Sequence, residues 1–105
     1  QAIDLYEQNL AEALRILGPD HPHTLTSRNN LANAYWSAGR LDQAIDLYEQ
    51  NLAEALRILG SDHPETRFFR NNLAAAYRAV GRDEEAAALL DPPSDPDDTD
   101  AEAPV

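Results

Sequence analysis

Polar residues Asp4, Gln8, Glu12 and Arg15, with Gln1 before them, recur every three or four positions along the first seventeen residues. That spacing places them on one stripe of a helix. The rest of the surface is apolar: Ala2, Ile3, Leu5, Tyr6, Leu10, Ala13, Leu14, Ile16 and Leu17. A face this wide predicts contact with more than one neighbouring helix. Gly18 supplies a stop, since glycine takes a left-handed conformation at little cost. Pro19-Asp20-His21-Pro22 then separates this helix from a second one, expected from about His23 to Ala38 with Leu25, Leu31, Ala32, Tyr35 and Ala38 facing inward. Asp20 is the expected cap of that helix, and Pro22 suits a first turn that needs no donor. Gly39-Arg40 closes it.

The pattern then returns. Residues Gln43 to Gly60 repeat Gln1 to Gly18 letter for letter, 42 positions on, with Asp42 opening the second copy. At the same offset Asp62-His63-Pro64 and Thr66 repeat Asp20-His21-Pro22 and Thr24. Arg70-Asn71-Asn72-Leu73-Ala74 repeats Arg28-Asn29-Asn30-Leu31-Ala32, and Tyr77 follows Tyr35. In the second copy Asp62 and Glu65 stand at capping-box spacing. A fixed period between 20 and 50 residues marks a stacked repeat array. The unit reads helix, turn, helix, turn, and short connections make successive helices antiparallel neighbours. The fold class is therefore all-α, a superhelix of helix pairs. Ala32, Ala44, Ala74 and Ala86 are small enough for the helices to approach closely. From Asp83 the pattern starts a third time and stops after two or three turns at Asp91-Pro92-Pro93. Residues 1–91 thus form the repeat array. Residues 92–105, rich in proline and acid, lack the apolar surface to offset ordering entropy and are expected to be a disordered tail.

Charge and composition narrow the function. The net charge is −11: residues 1–90 carry 13 acids against 8 arginines, and residues 91–105 carry six acids and no base. Phosphate backbones would repel such a chain, so nucleic acid is not an expected partner. No run approaches the roughly 18 apolar residues of a membrane span, no signal-peptide pattern opens the chain, and no membrane partner is expected. The absence of cysteine fits a reducing, cytoplasmic setting. Gln1 in place of an initiator methionine reads as an edge inside a longer protein.

Chemistry-bearing clusters are few. Asp20, His21 and His23 lie close together, but the second copy has Glu65 in place of His23, and a turn with solvated imidazoles is the favoured reading over a metal site. Ser61-Asp62-His63 contains triad letters, yet the first copy has Pro19 at the serine position. A lysine-free chain supplies no phosphate-loop lysine. No enzyme activity, metal or cofactor is expected.

Leu31-Ala32-x-x-Tyr35, Gly39, Ala44 and Tyr48 resemble the tetratricopeptide pattern. The 42-residue period, the LG-x-DHP-x-T string and the NNLA string resemble its longer-helix branch, typified by kinesin light chains and bacterial relatives. The resemblance covers residues 1–90. It implies a right-handed solenoid whose concave groove, lined by the first helix of each pair, holds an extended or helical segment of a protein partner. The groove positions it implies are Thr26, Asn29, Asn30, Asn33, Trp36 and Ser37 in the first copy, and Phe68, Asn71, Asn72, Ala75, Arg78 and Ala79 in the second. An asparagine amide both donates and accepts, so it suits peptide-backbone contact. Adjacent asparagines point to different faces, however, and one of each pair is as readily expected to bond a neighbouring helix. Trp36 and Phe68 differ from their repeat counterparts Arg78 and Thr26, which favours partner contact over packing. The family's charge-clamp lysines have no counterpart; Arg67, Arg70 and Arg78 are the substitutes. Asn51 stands where the family usually has alanine, and its amide is expected at a helix junction.

Two functions follow from this reading: a protein-interaction scaffold that binds a peptide, or a structural spacer or homo-oligomerisation arm of a larger regulatory protein of the switch-NTPase type. The first helix is expected to leave an apolar flank open, covered by further repeats or by a second copy of the chain.

Overall fold

The computed structural model describes residues 2–90, which form five helices and no strand: α1 (Ala2–Ile16), α2 (Pro22–Ser37), α3 (Leu41–Leu59), α4 (Pro64–Ala79) and α5 (Asp83–Leu90). Residues 91–105, where the tail is expected, and Gln1 lie outside the described residues. Each helix packs on its neighbours in the chain: α1 on α2, α2 on α3, α3 on α4 and α4 on α5. Two antiparallel pairs, α2–α3 and α4–α5, are thus preceded by α1, which repeats the second helix of a pair.

The close approaches occur where side chains are smallest. Ala32, Ala44 and Ala86 have no exposed surface, and Ala74 has almost none. Around them lie Leu25, Leu31, Tyr35, Ile45, Tyr48, Leu52, Phe69, Leu73 and Tyr77, one continuous core. Gly18 and Gly60 end α1 and α3 with φ of +87° and +88°, the left-handed region that side chains with a Cβ avoid. The backbone N–H of Gly60 reaches the Ala55 carbonyl at 3.2 Å and closes the helix end.

Four local expectations are corrected. The caps of α2 and α4 are His21 and His63, not Asp20 and Asp62: each imidazole Nδ1 accepts a 3.0 Å hydrogen bond, from the backbone N–H of His23 and of Glu65. Pro22 and Pro64 fix the first helical position, so the capping residue is the one just before them, and the aspartates stand one step too early. The capping box of Asp62 and Glu65 fails for the same reason. Ala38 is exposed at the end of α2 instead of facing inward. Finally, α3 opens at Leu41 after Arg40, which makes no side-chain cap bond, and Asp42 sits in the first turn.

Polar ties repeat with the helices. The Tyr35 hydroxyl donates to Glu7 and the Tyr77 hydroxyl to Glu49, each joining a pair's first helix to the preceding helix. The Arg40 and Arg82 guanidinium groups lie over those same rings, 4.7 and 4.4 Å from the centroids. Thr24, fully buried, donates to the Gly18 carbonyl at 2.8 Å and binds the turn to the helix that follows it.

Candidate functional site

The sequence-predicted groove positions lie on α2 and α4, and the structure buries Asn29 and divides the others into three groups. Asn30, Asn33 and Ser37 line a depression of about 300 Å³ between α1 and α2, with Tyr6 and Ala2 opposite. Trp36, Asn72, Ala75 and Ala79 line a second of about 280 Å³ between α2 and α4, with Tyr48 of α3 at its floor. Thr26, Phe68, Asn71 and Arg78 are exposed and line neither.

The two depressions lie on either side of α2, and one hydrogen bond runs between their walls. The Tyr48 hydroxyl donates to the Asn33 Oδ1, a bond placed by the spacing that carries Tyr48 up from α3 beneath α2. Burial holds the Tyr48 phenol neutral, pushing its pKa above the ordinary value. The Asn33 amide nitrogen is the donor this bond leaves available.

The paired asparagines split as their adjacency requires. Asn29 is buried, and its Oδ1 accepts a 3.1 Å bond from the Nδ2 of Asn72 on α4. This bond clamps α2 to α4. Asn30 and Asn71, the other member of each pair, are exposed. Trp36 is half-buried against the core and lines the α2–α4 depression. Phe68 is 54% exposed, with its ring 5.8 Å from that of the buried Phe69 and tilted by 57°. Packing alone gives no reason for a phenylalanine to stand so far out.

Away from the two depressions, Arg28 is buried and its guanidinium donates to the Oδ1 of Asn51 at 3.3 Å, placing that amide at a helix junction. Burial lowers the Arg28 pKa below its ordinary value, with Glu54 opposing. The Asn51 Nδ2 is buried with no partner. His21 and His63 are occupied as helix caps through Nδ1.

Sequence reasoning misses two participants. The hydrophobic pattern marks Tyr6 and Tyr48 only as apolar repeat positions, yet they line the two depressions, and the Tyr48 hydroxyl bonds Asn33. The signal is present in the residue type: a tyrosine kept at both copies of a helix–helix junction carries a polar tip that must find a partner. No helix of the described residues is long and apolar enough to cross a membrane.

Comparison with known proteins gives the array its context. No curated protein matches the chain. Among solved structures, it is similar to kinesin light chain nearly identical TPR-like repeats of Podosopora anserina, with a TM-score of 0.78, 38% identity and 84% of this chain covered. A form of that protein with one residue replaced by methionine matches to the same degree. The chain spans 42% of the length of each, less than half. The tetratricopeptide repeat family profile matches twice, over residues 1–53 and 34–91, which between them include all five helices. On this evidence the chain belongs to the tetratricopeptide repeat family, whose helical solenoids mediate protein–protein interaction.

Proposed function

We propose that this chain is a protein-interaction module that holds a peptide or helix segment of a partner along α2 and α4, with no reaction performed on it. The observation that carries this reading is the strip formed by Asn33, Trp36 and Asn72 around Tyr48, bordered by the small residues Ala75 and Ala79. Aromatic edges beside alanines leave room for a side chain, and carboxamides beside them bond a backbone whatever its sequence. Asn30 and Ser37 extend the polar edge toward α1, while Thr26, Phe68, Asn71 and Arg78 stand outside it as flanking contacts. A cytoplasmic setting suits the cysteine-free sequence.

Peptides selected from a random display library against the folded chain test the reading. Trp36→Ala should weaken the selected peptides by about tenfold or more, the effect of removing an aromatic anchor. Peptides that bind Trp36→Ala and Asn72→Ala as tightly as the parent chain would refute it.

The second reading is a spacer or homo-oligomerisation arm within a larger regulatory protein. It is favoured by the apolar surface left on α1, where Leu5 is 57% and Ile16 63% exposed. Changes at that surface which alter assembly, with groove changes silent, would make it the better account.

A further inference from the structure

The two depressions on either side of α2 are one site repeated. Tyr48, Asn72 and Ala76 of the second stand where Tyr6, Asn30 and Ala34 of the first stand, 42 positions earlier. The second is walled by α2, α3 and α4, and it stays open although helices stand on both sides of it. The repeat also shows where the two differ. Asn33 and Ser37 of the first become Ala75 and Ala79 in the second, and all four are exposed. Trp36 adds an aromatic wall to the second alone. The first depression is therefore the more polar and the second the more apolar. Neither is lined by a charged residue, in a chain of which 26% is charged. A charged group seated in either would lose water without gaining a counter-charge.

The bond between Tyr48 and Asn33 narrows what the polar depression can take. The Tyr48 hydroxyl occupies Asn33 Oδ1, so Asn33 offers a ligand only the donors on its Nδ2. That position selects an acceptor oxygen, and Asn30 and Ser37 beside it both donate and accept. A carboxamide side chain answers the whole set. A carboxylate does not: α1 brings Asp4 and Glu7 to either side of Tyr6 in its sequence, and its single arginine, Arg15, is paired with Glu12.

We propose that the partner is an uncharged, extended segment that seats an Asn or Gln side chain between α1 and α2 and a large apolar one between α2 and α4, three residues apart. This rests on the groove reading above and names the sequence that the groove selects. The spacing follows from geometry. Grooves on either side of one helix lie about one interaxial distance apart, about 9 Å. In the polyproline II conformation, residues i and i+3 share an edge and stand about 9 Å apart. A β-strand puts residues of one face about 7 or 13 Å apart, which fits neither groove pair. An α-helix comes near only at a spacing of about seven residues. It also keeps its backbone bonds to itself, whereas a polyproline II segment leaves its backbone groups free for Asn30 and the Oδ1 of Asn72.

Phage display of random peptides on the folded chain tests the proposal. The selected set should share Asn or Gln and a large apolar residue three positions apart, with neither position charged. Synthetic copies can then be titrated against the emission of Trp36, the chain's only tryptophan. Replacing the carboxamide by the matching acid should weaken binding by about tenfold, the effect of seating an unpaired charge. Ala75→Asn with Ala79→Ser installs, at two exposed positions, the residues that the first copy carries. Selection on this variant should replace the apolar residue by a second carboxamide, and the parent's peptides should bind it about tenfold more weakly. A shared pair seven positions apart, a charged residue at either position, or an unchanged set on the variant would each overturn the proposal. Peptides without such a pair that still lose affinity on Trp36→Ala would overturn it and leave the groove reading standing. Peptides indifferent to Trp36→Ala would remove both.

Discussion

The helices that end at Gly18 and Gly60 form a controlled comparison: α1 and α3 share the same residues in the same order, yet α3 buries six of them and α1 only two of those six. In α3, which lies between α2 and α4, Ala44, Ile45, Tyr48, Asn51, Leu52 and Ala55 are buried. In α1, whose main packing partner among the described residues is α2, only Ile3 and Ala13 are. Leu5 and Ile16 are more than half exposed, whereas their counterparts Leu47 and Ile58 are half-buried. Helix propensity and amphipathic pattern are identical over the shared residues, so neither accounts for the difference. It comes from the number of neighbours, the nearest-neighbour behaviour of a one-dimensional array. The lesson is that an apolar stripe specifies what a helix is able to bury, and its position in the array specifies what it does bury.

Matched substitutions should expose this contrast, the largest effect first. Leu52→Ala removes a core side chain held between helices and should destabilise by about 3 kcal/mol in urea denaturation, against about 1 kcal/mol for Leu10→Ala at the half-buried twin. Equal losses would mean that α1 is as fully packed as α3. Asn51→Ala should cost about 1–2 kcal/mol, because it strips the acceptor from the buried Arg28 guanidinium. Its twin Asn9→Ala, at an exposed position on α1, should stay within about 0.5 kcal/mol.

The smallest prediction concerns a place where the two copies agree. Glu49 on α3 accepts from Tyr77 as Glu7 on α1 accepts from Tyr35, and both phenol pKa values are raised. Burial, with the Glu49 hydrogen bond second, pushes Tyr77 up to about 12. The fold therefore favours the neutral phenol. That contribution is complete below the unfolded value of about 10 and disappears as pH rises through 12. Between those pH values the Tm of the parent chain should fall more steeply than that of Tyr77→Phe. Parallel slopes would show that the tie does not distinguish the two protonation states.

Much of this architecture was legible in the letters because the repeat restates each element. Glycines, prolines and small alanines recur where helices end, begin and cross, and Ala44, Ala74 and Ala86 are buried as that pattern requires. Caps were less legible: His21 and His63 act through backbone geometry set by the following proline, whereas aspartate has the stronger general tendency. The candidate site was legible as a set of positions on α2 and α4 but not as a division of labour. Which asparagine of each pair turns inward depends on the rotation of α2 against α4, a property of two helices that neither sequence states alone. The Tyr48 hydroxyl beneath Asn33 was hidden for the same reason.

The central claim is that position in the stack, and not the eighteen shared residues, sets how firmly each copy is held. Native-state hydrogen exchange measures it directly, because equal sequence gives the interior amides of both helices equal intrinsic rates. At micromolar concentration the amides of Ala44–Ala55 should exchange at least about tenfold more slowly than their twins in Ala2–Ala13. Equal rates, amide for amide, would contradict the claim.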